Sequence, residues 1–197
     1  MGIKGEHMLK AVRPAITSFL LITCLTGIVY PLLVTGLSQA LMRDKADGSL
    51  VSKNGKVIGS RLIGQYFSDP GHFWGRPSAT SPTPYNGTAS GGSNLGPTHP
   101  ALLEALEARI KALKDSDPGN RAPIPVDLVT ASASGLDPEI SPAAAAYQIS
   151  RIARSRKIDP ERLKKLVDEH TRGRQFGFLG EPGVNVLELN LALDRMH

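Results

Sequence analysis

Ser90-Gly91-Gly92-Ser93-Asn94 is the run whose residue types most suggest chemistry. Adjacent glycines between hydroxyl side chains can form a tight turn whose backbone amides hold an anion. Ser90 or Ser134 could instead serve as a nucleophile in acyl transfer, with His99 as the base that reaction needs. Neither reading has its full set of parts. Gly55-Lys56 leads into Val57, so no phosphate-binding Gly-Lys-Ser/Thr exists, and Thr88-Ala89-Ser90-Gly91-Gly92 lacks the first glycine of a nucleophile elbow. Ser-x-x-Lys is absent. His72, His99, His170 and His197 lie far apart, and Cys24 is the only cysteine, so metal-ligand spacing is missing as well. Asp127, Asp137 and Asp168 read as solvated surface charges. The expectation is a chain with no catalytic residue and no metal ligand of its own.

The Gly/Ser run lies inside a longer segment, Gly75–Pro100, in which 20 of 26 residues are Gly, Pro, Ser, Thr or Asn and Arg76 is the sole charge. A flexible linker would have this composition, but its order never repeats. Pro84-Tyr85-Asn86-Gly87 and Ser93-Asn94-Leu95-Gly96-Pro97 also place turn formers where definite backbone angles want them. The segment therefore reads as an ordered functional surface, with Arg76, Ser90, Gly91, Gly92, Ser93 and Asn94 as its candidate contacts.

The flanking elements must hold that surface. Asn54-Gly55 between Leu50–Lys53 and Lys56–Gly59 predicts a hairpin, and Arg61–Phe67 an extended segment. His99-Pro100 opens a helix to about Lys114, with Leu102, Leu103, Leu106, Ile110 and Leu113 as its stripe and Glu107–Lys111 as a surface pair. Val126–Thr130 reads as a short strand. Ser141-Pro142 caps a helix through Lys157 that buries Ala145, Ile149, Ile152 and Ala153. Asp159-Pro160 starts another to about Thr171, burying Leu163, Leu166 and Val167. Gly173–Gly183 is loop, and Val184–Leu193 alternates as a half-buried strand. The fold class is α/β: one N-terminal transmembrane helix, then a single soluble domain of about three helices on a small sheet.

Pro14–Met42 carries no charge and is long enough to span a bilayer, too long for a signal peptide. Lys4, Lys10 and Arg13 precede it, while Arg43 and Lys45 beyond it are balanced by Asp44 and Asp47. The positive-inside bias makes residues 1–13 a cytoplasmic N-terminus, 14–42 the span and 43–197 an extracytoplasmic domain, with Met8 an alternative start. Thr23, Gly27, Pro31 and Thr35 share one helix face, extended by Gly36, and small residues there admit a partner helix. The soluble part has 20 Lys and Arg against 17 Asp and Glu, no nucleic-acid footprint.

Several motifs in one order resemble the KdpC family, the C subunits of the Kdp-type potassium-transporting P-type ATPase. They are Gly59–Gln65, Gly75–Ala79, Ser90–Pro97, Pro125–Thr130, Gly135–Pro138 and Val184–Asp194. Ser132-Ala133-Ser134 departs slightly from the usual Ser-Gly-Ser. The resemblance implies an accessory subunit without autonomous catalysis in the inner membrane. Its partners would be a channel-like potassium-translocating subunit, an ATP-hydrolysing P-type subunit and membrane lipid. It also implies a catalytic chaperone that raises the pump's ATP affinity, with ATP met only through the complex. The Ser90–Asn94 run is similar to the loop with which ABC-type ATPases touch a nucleotide phosphate. That role conflicts with an external domain, and the charge asymmetry favours the external placement. The alternative from another class is a membrane-anchored extracytoplasmic serine hydrolase built on Ser90 or Ser134 with His99.

Overall fold

One helix dominates the first part of the computed structural model, which describes residues 3–196. It runs as α1 (Ile3–Cys24), a π-helical turn (Leu25–Val29) and α2 (Tyr30–Leu41), followed by the short α3 (Arg43–Ala46). The stretch Lys10–Leu41, 32 residues, is long and apolar enough to cross a membrane. At 1.5 Å per residue it reaches about 48 Å against a hydrocarbon core of about 30 Å. The π turn has a local cause. Pro31 has no N–H to offer the Gly27 carbonyl, and the Tyr30 N–H reaches back to Leu25 O, five residues earlier. An i to i+4 step overshoots one α-helical turn, and a wider turn takes back part of that overshoot. Thr23, Gly27, Pro31 and Thr35 thereby stay closer to one face.

Contacts divide the chain after Ser49, and the second unit is the soluble domain. It opens with the expected hairpin, β1 (Leu50–Lys53) against β2 (Lys56–Ser60), turned by Asn54 and Gly55 at φ +53° and +74°. Four helices follow: α4 (Pro100–Ser116), α5 (Pro142–Arg156), α6 (Pro160–Glu169) and α7 (Val186–Leu193). A second, antiparallel sheet has the order β3 (Glu139–Ile140), β5 (Gly183–Asn185), β4 (Thr171–Arg172), with Ile140 and Thr171 both opposite Val184. The mixed α/β class holds.

Helix starts follow their caps. Ser141 accepts from the Ala144 N–H, Asp159 from Glu161 and His99 from Ala101, each followed by proline in the first turn. The core gathers Phe73, Ala144, Ala145, Ile152, Leu163, Val167, Val184, Leu189 and Leu193. Leu113 is buried on α4, whereas Leu103 faces solvent. Lys111 pairs with Asp115 at 2.5 Å in place of the expected Glu107.

Three extended segments are corrected. Val184–Leu193 is strand only to Asn185, whose side chain accepts from the Glu188 N–H and starts α7. Val126–Leu128 is a 3-10 turn, closed as Thr130 Oγ1 bonds Val126 O. Arg61–Phe67 joins no sheet.

Candidate functional site

The Gly75–Pro100 segment is laid against the 131–137 stretch by a network of small polar groups. Ser78 Oγ donates to Gly135 O at 2.7 Å and accepts from the Thr80 and Tyr85 amides at 3.3 and 2.9 Å. Thr80 Oγ1 donates to Thr83 O and accepts from the Asn86 N–H. The Ser132 N–H bonds Pro77 O and the Gly64 N–H bonds Leu136 O. Each contact satisfies a backbone group that a loop of this composition would otherwise leave to water. The segment is ordered, as its turn chemistry implied.

Arg76 anchors one end. Its Nη1 meets Asp137 Oδ2 at 3.0 Å and its Nη2 reaches Ala131 O at 3.4 Å, while Nε is buried without a partner among the described residues. Tyr85, at φ +57°, donates its hydroxyl to Arg76 O at 2.5 Å. Burial first, then the Asp137 charge, pushes that phenol up to about 12 against the opposing Arg76 charge, so it remains a donor. Arg76, Tyr85 and Trp74, with Arg109 from α4, line a cleft of about 340 Å³. Asp137 is thus no solvated charge, and neither is Asp127, whose carboxylate takes the Ser141 N–H and hydroxyl. Asp168 is exposed.

Ser90–Asn94 forms no tight turn. Gly91–Gly96 has no regular secondary structure, with Asn94 in the left-handed region at φ +53°. The Gly91 N–H and Ser90 Oγ both donate to Ser134 O, at 2.9 and 3.1 Å. Gly92 is glycine for room, since a Cβ there would stand 2.9 Å from Ala133 O. Ser93 and Asn94 face solvent. The hydrolase alternative gains no support. Ser134 Oγ accepts from the Leu136 N–H and His99 Nδ1 from the Ala101 N–H. Among the described residues no hydrogen bond joins His99 to either serine, and no group of three His, Cys, Asp or Glu could hold a metal. His197 lies outside the described residues. In the other unit, Thr23, Gly27, Pro31, Thr35 and Gly36 are all exposed.

The chain matches the family described as K+-transporting ATPase, c chain, over residues 12–195. It belongs to the KdpC family. It is 60% identical over 187 residues to the potassium-transporting ATPase KdpC subunit of Dechloromonas aromatica, covering 95% of this chain and 98% of that one. The KdpC subunit of Methylococcus capsulatus is 60% identical over 189 residues, 96% of this chain and 100% of its own. That of Variovorax paradoxus is 61% identical over 187 residues, 95% and 97% of the two chains.

A second polar centre of this chain escaped the sequence reading. The stretch Asp69–Trp74 joins no sheet but buries Gly71 and Phe73, and side chains replace the missing ladder. Asn190 Oδ1 accepts from the Phe73 N–H at 2.8 Å and its Nδ2 donates to Phe73 O at 2.9 Å. Gln148 makes the same exchange with Trp74, and Arg151 donates to Pro70 O and His72 O while stacking 4.1 Å from the Trp74 ring centroid. Burial lowers the Arg151 guanidinium to about 10, against the Asp117 and Asp69 charges. At the end of α7, Asp194 takes Arg156 at 2.7 Å and His72 at 3.0 Å. The available signal was a glutamine and an arginine on the stripe of α5 shared by Ala145 and Ile152, positions that solvent-facing residues would not occupy.

Proposed function

We propose that this chain is a non-catalytic accessory subunit of an ATP-driven potassium uptake pump. One membrane helix holds it in the inner membrane, and its soluble domain lies on the outer face against the channel-like, potassium-translocating subunit. The observation that carries this reading is the family match over residues 12–195, together with 60% identity over 187 residues to a protein named as a subunit of a potassium-transporting ATPase. Lys4, Lys10 and Arg13 ahead of the span support the orientation.

The chain raises the activity of the ATP-hydrolysing subunit, ATP affinity included, through the assembled complex and not by touching nucleotide itself. One observation supports this, and the proposed placement agrees with it. The Gly91 N–H and Ser90 hydroxyl are both engaged by Ser134 O. An external domain would also be separated from cytoplasmic ATP. The exposed small residues of the membrane helix support a partner helix beside it.

Purifying the complex from cells lacking this chain is the test: assembly and potassium-stimulated ATP hydrolysis should both fall, and no change in either would overturn the reading. Its topological half is checked with Ser93→Cys in a Cys24→Ser background. An impermeant maleimide applied to intact spheroplasts should label it, and labelling only from inside-out vesicles would refute the external placement.

A further inference from the structure

The turn at Gln175–Leu179 adopts a backbone that its own side chains resist. Phe176 and Gly177 have φ +52° and +82°, and the Phe178 N–H closes onto Gln175 O at 3.2 Å. Positive φ at both central residues is the type I′ arrangement, which favours Asn-Gly and disfavours a bulky aromatic. The same chain uses Asn54-Gly55 in its other hairpin, at φ +53° and +74°. A left-handed conformation is sterically disfavoured for a residue such as Phe, whose Cβ crowds the following carbonyl oxygen. Phe176 returns nothing to the fold, because it is 88% exposed, with Phe178 and Leu179 at 69% and 47%. Where a local rule is broken without compensation inside the fold, function is the usual reason.

The turn is also rigid. Gln175 and Leu179 exchange two backbone hydrogen bonds, at 2.8 and 2.9 Å, and Arg174 grips both Glu181 carboxylate oxygens across its base, at 2.8 and 2.7 Å.

We propose that Phe176, Phe178 and Leu179 form an apolar plug that seats in a pocket on another subunit of the pump. This rests on the function proposed above. A protein pocket fits better than the bilayer because the neighbouring charges are already compensated. Arg174 is held by Glu181 and Arg172 by Glu139 at 2.8 Å, which leaves the plug without the basic attraction that interfacial binding to anionic lipid uses. Aromatic side chains fixed on a rigid turn are pre-organised anchors of the kind that dominate protein interfaces.

Phe176→Asn separates this role from a structural one, since it gives the turn the residue its geometry prefers. In the full-length chain purified in detergent, thermal stability should be unchanged or higher. Co-purification with the other subunits should fall about tenfold, the scale of losing one aromatic anchor. Phe178→Ser should weaken association likewise. Phe176→p-benzoylphenylalanine, irradiated in membranes containing every subunit, should give an adduct with another subunit. Lower stability of Phe176→Asn with undiminished association, or adducts only with lipid or with a second copy of this chain, would overturn the plug. Failure of the unaltered chain to co-purify would instead overturn the functional reading beneath it.

Discussion

Gln148 grips the backbone of Trp74 at both ends: its Oε1 accepts from the Trp74 N–H at 2.8 Å and its Nε2 donates to Trp74 O at 3.1 Å. The side chain is 1% exposed, so water cannot take over either bond. Gln148→Leu should therefore cost about 2–4 kcal/mol, the penalty of orphaning two buried backbone groups. Denaturant unfolding of the purified chain checks this. A change below about 0.5 kcal/mol, the range of ordinary surface substitutions, would mean the pair is not a clamp.

The glycines of the Gly75–Pro100 segment and of the 131–137 stretch it packs on separate into those needed for room and those that are not. A Cβ on Gly135, at φ +66°, would lie 2.5 Å from Thr80 Cγ2 and 2.7 Å from Gly91 O. One on Gly92 would lie 2.9 Å from Ala133 O, whereas one on Gly91 or Gly96 meets nothing within 4 Å. Gly135→Ala and Gly92→Ala should each lower the melting temperature by several degrees, the scale of a 1–2 kcal/mol loss, with Gly135→Ala the more severe. Gly91→Ala and Gly96→Ala should leave it unchanged. Thermal unfolding of the four variants decides the ranking.

Within the membrane helix, a side chain added at Gly27 or Gly36 has free space in this chain taken alone. Gly27→Leu and Gly36→Leu should thus spare the chain's own expression and membrane insertion while reducing recovery of the other subunits about tenfold through steric exclusion. Equal recovery with both variants would remove this face from the interface.

Acid should loosen the joint between α7 and the Asp69–Trp74 stretch. Burial alone would raise the Asp194 carboxyl, but hydrogen bonds and charge from Arg156 and His72 bring it below its ordinary value. Asp117 is lowered likewise, burial being outweighed by Ser150, Arg154 and Asn120. The unfolded chain then binds these protons at higher pH than the folded one. Their stabilisation is complete above about pH 4 and is lost as pH falls through that value towards the lowered ones. The melting temperature of Asp194→Asn should be lower at pH 7 and vary less between pH 5 and pH 3. An unaltered pH profile would show that Asp194 contributes nothing to acid stability.

Much of the fold was legible because local signals agreed with tertiary ones. Ser141-Pro142, Asp159-Pro160 and His99-Pro100 each place a capping side chain before a proline, and each begins a helix. Asn54-Gly55 turned its hairpin as its backbone freedom required. The stretch Val184–Leu193 misled because leucines at 187, 189, 191 and 193 satisfy a period of two. Val186, Leu189, Asn190 and Leu193 satisfy the helical period equally well. Asn185 followed three residues later by Glu188 was the start signal that decides between them. In the candidate site, Ser78, Tyr85 and Asp137 could not be read out because their partners lie 7 to 61 residues away, in loops without periodicity.

The paired amides on Phe73 and Trp74 have one more effect. Asn190 holds the backbone of one residue and Gln148 that of the next, while the buried Phe73 side chain and the Trp74 ring against Arg151 fix which residues those are, so the stretch fits in a single alignment. Shifting it by one position would take the Phe73 ring out of its fully buried site and the Trp74 ring off Arg151. Insertions or deletions near here must therefore bulge out on either side of these two residues, and homologues of different loop length should still superpose at this point of the core.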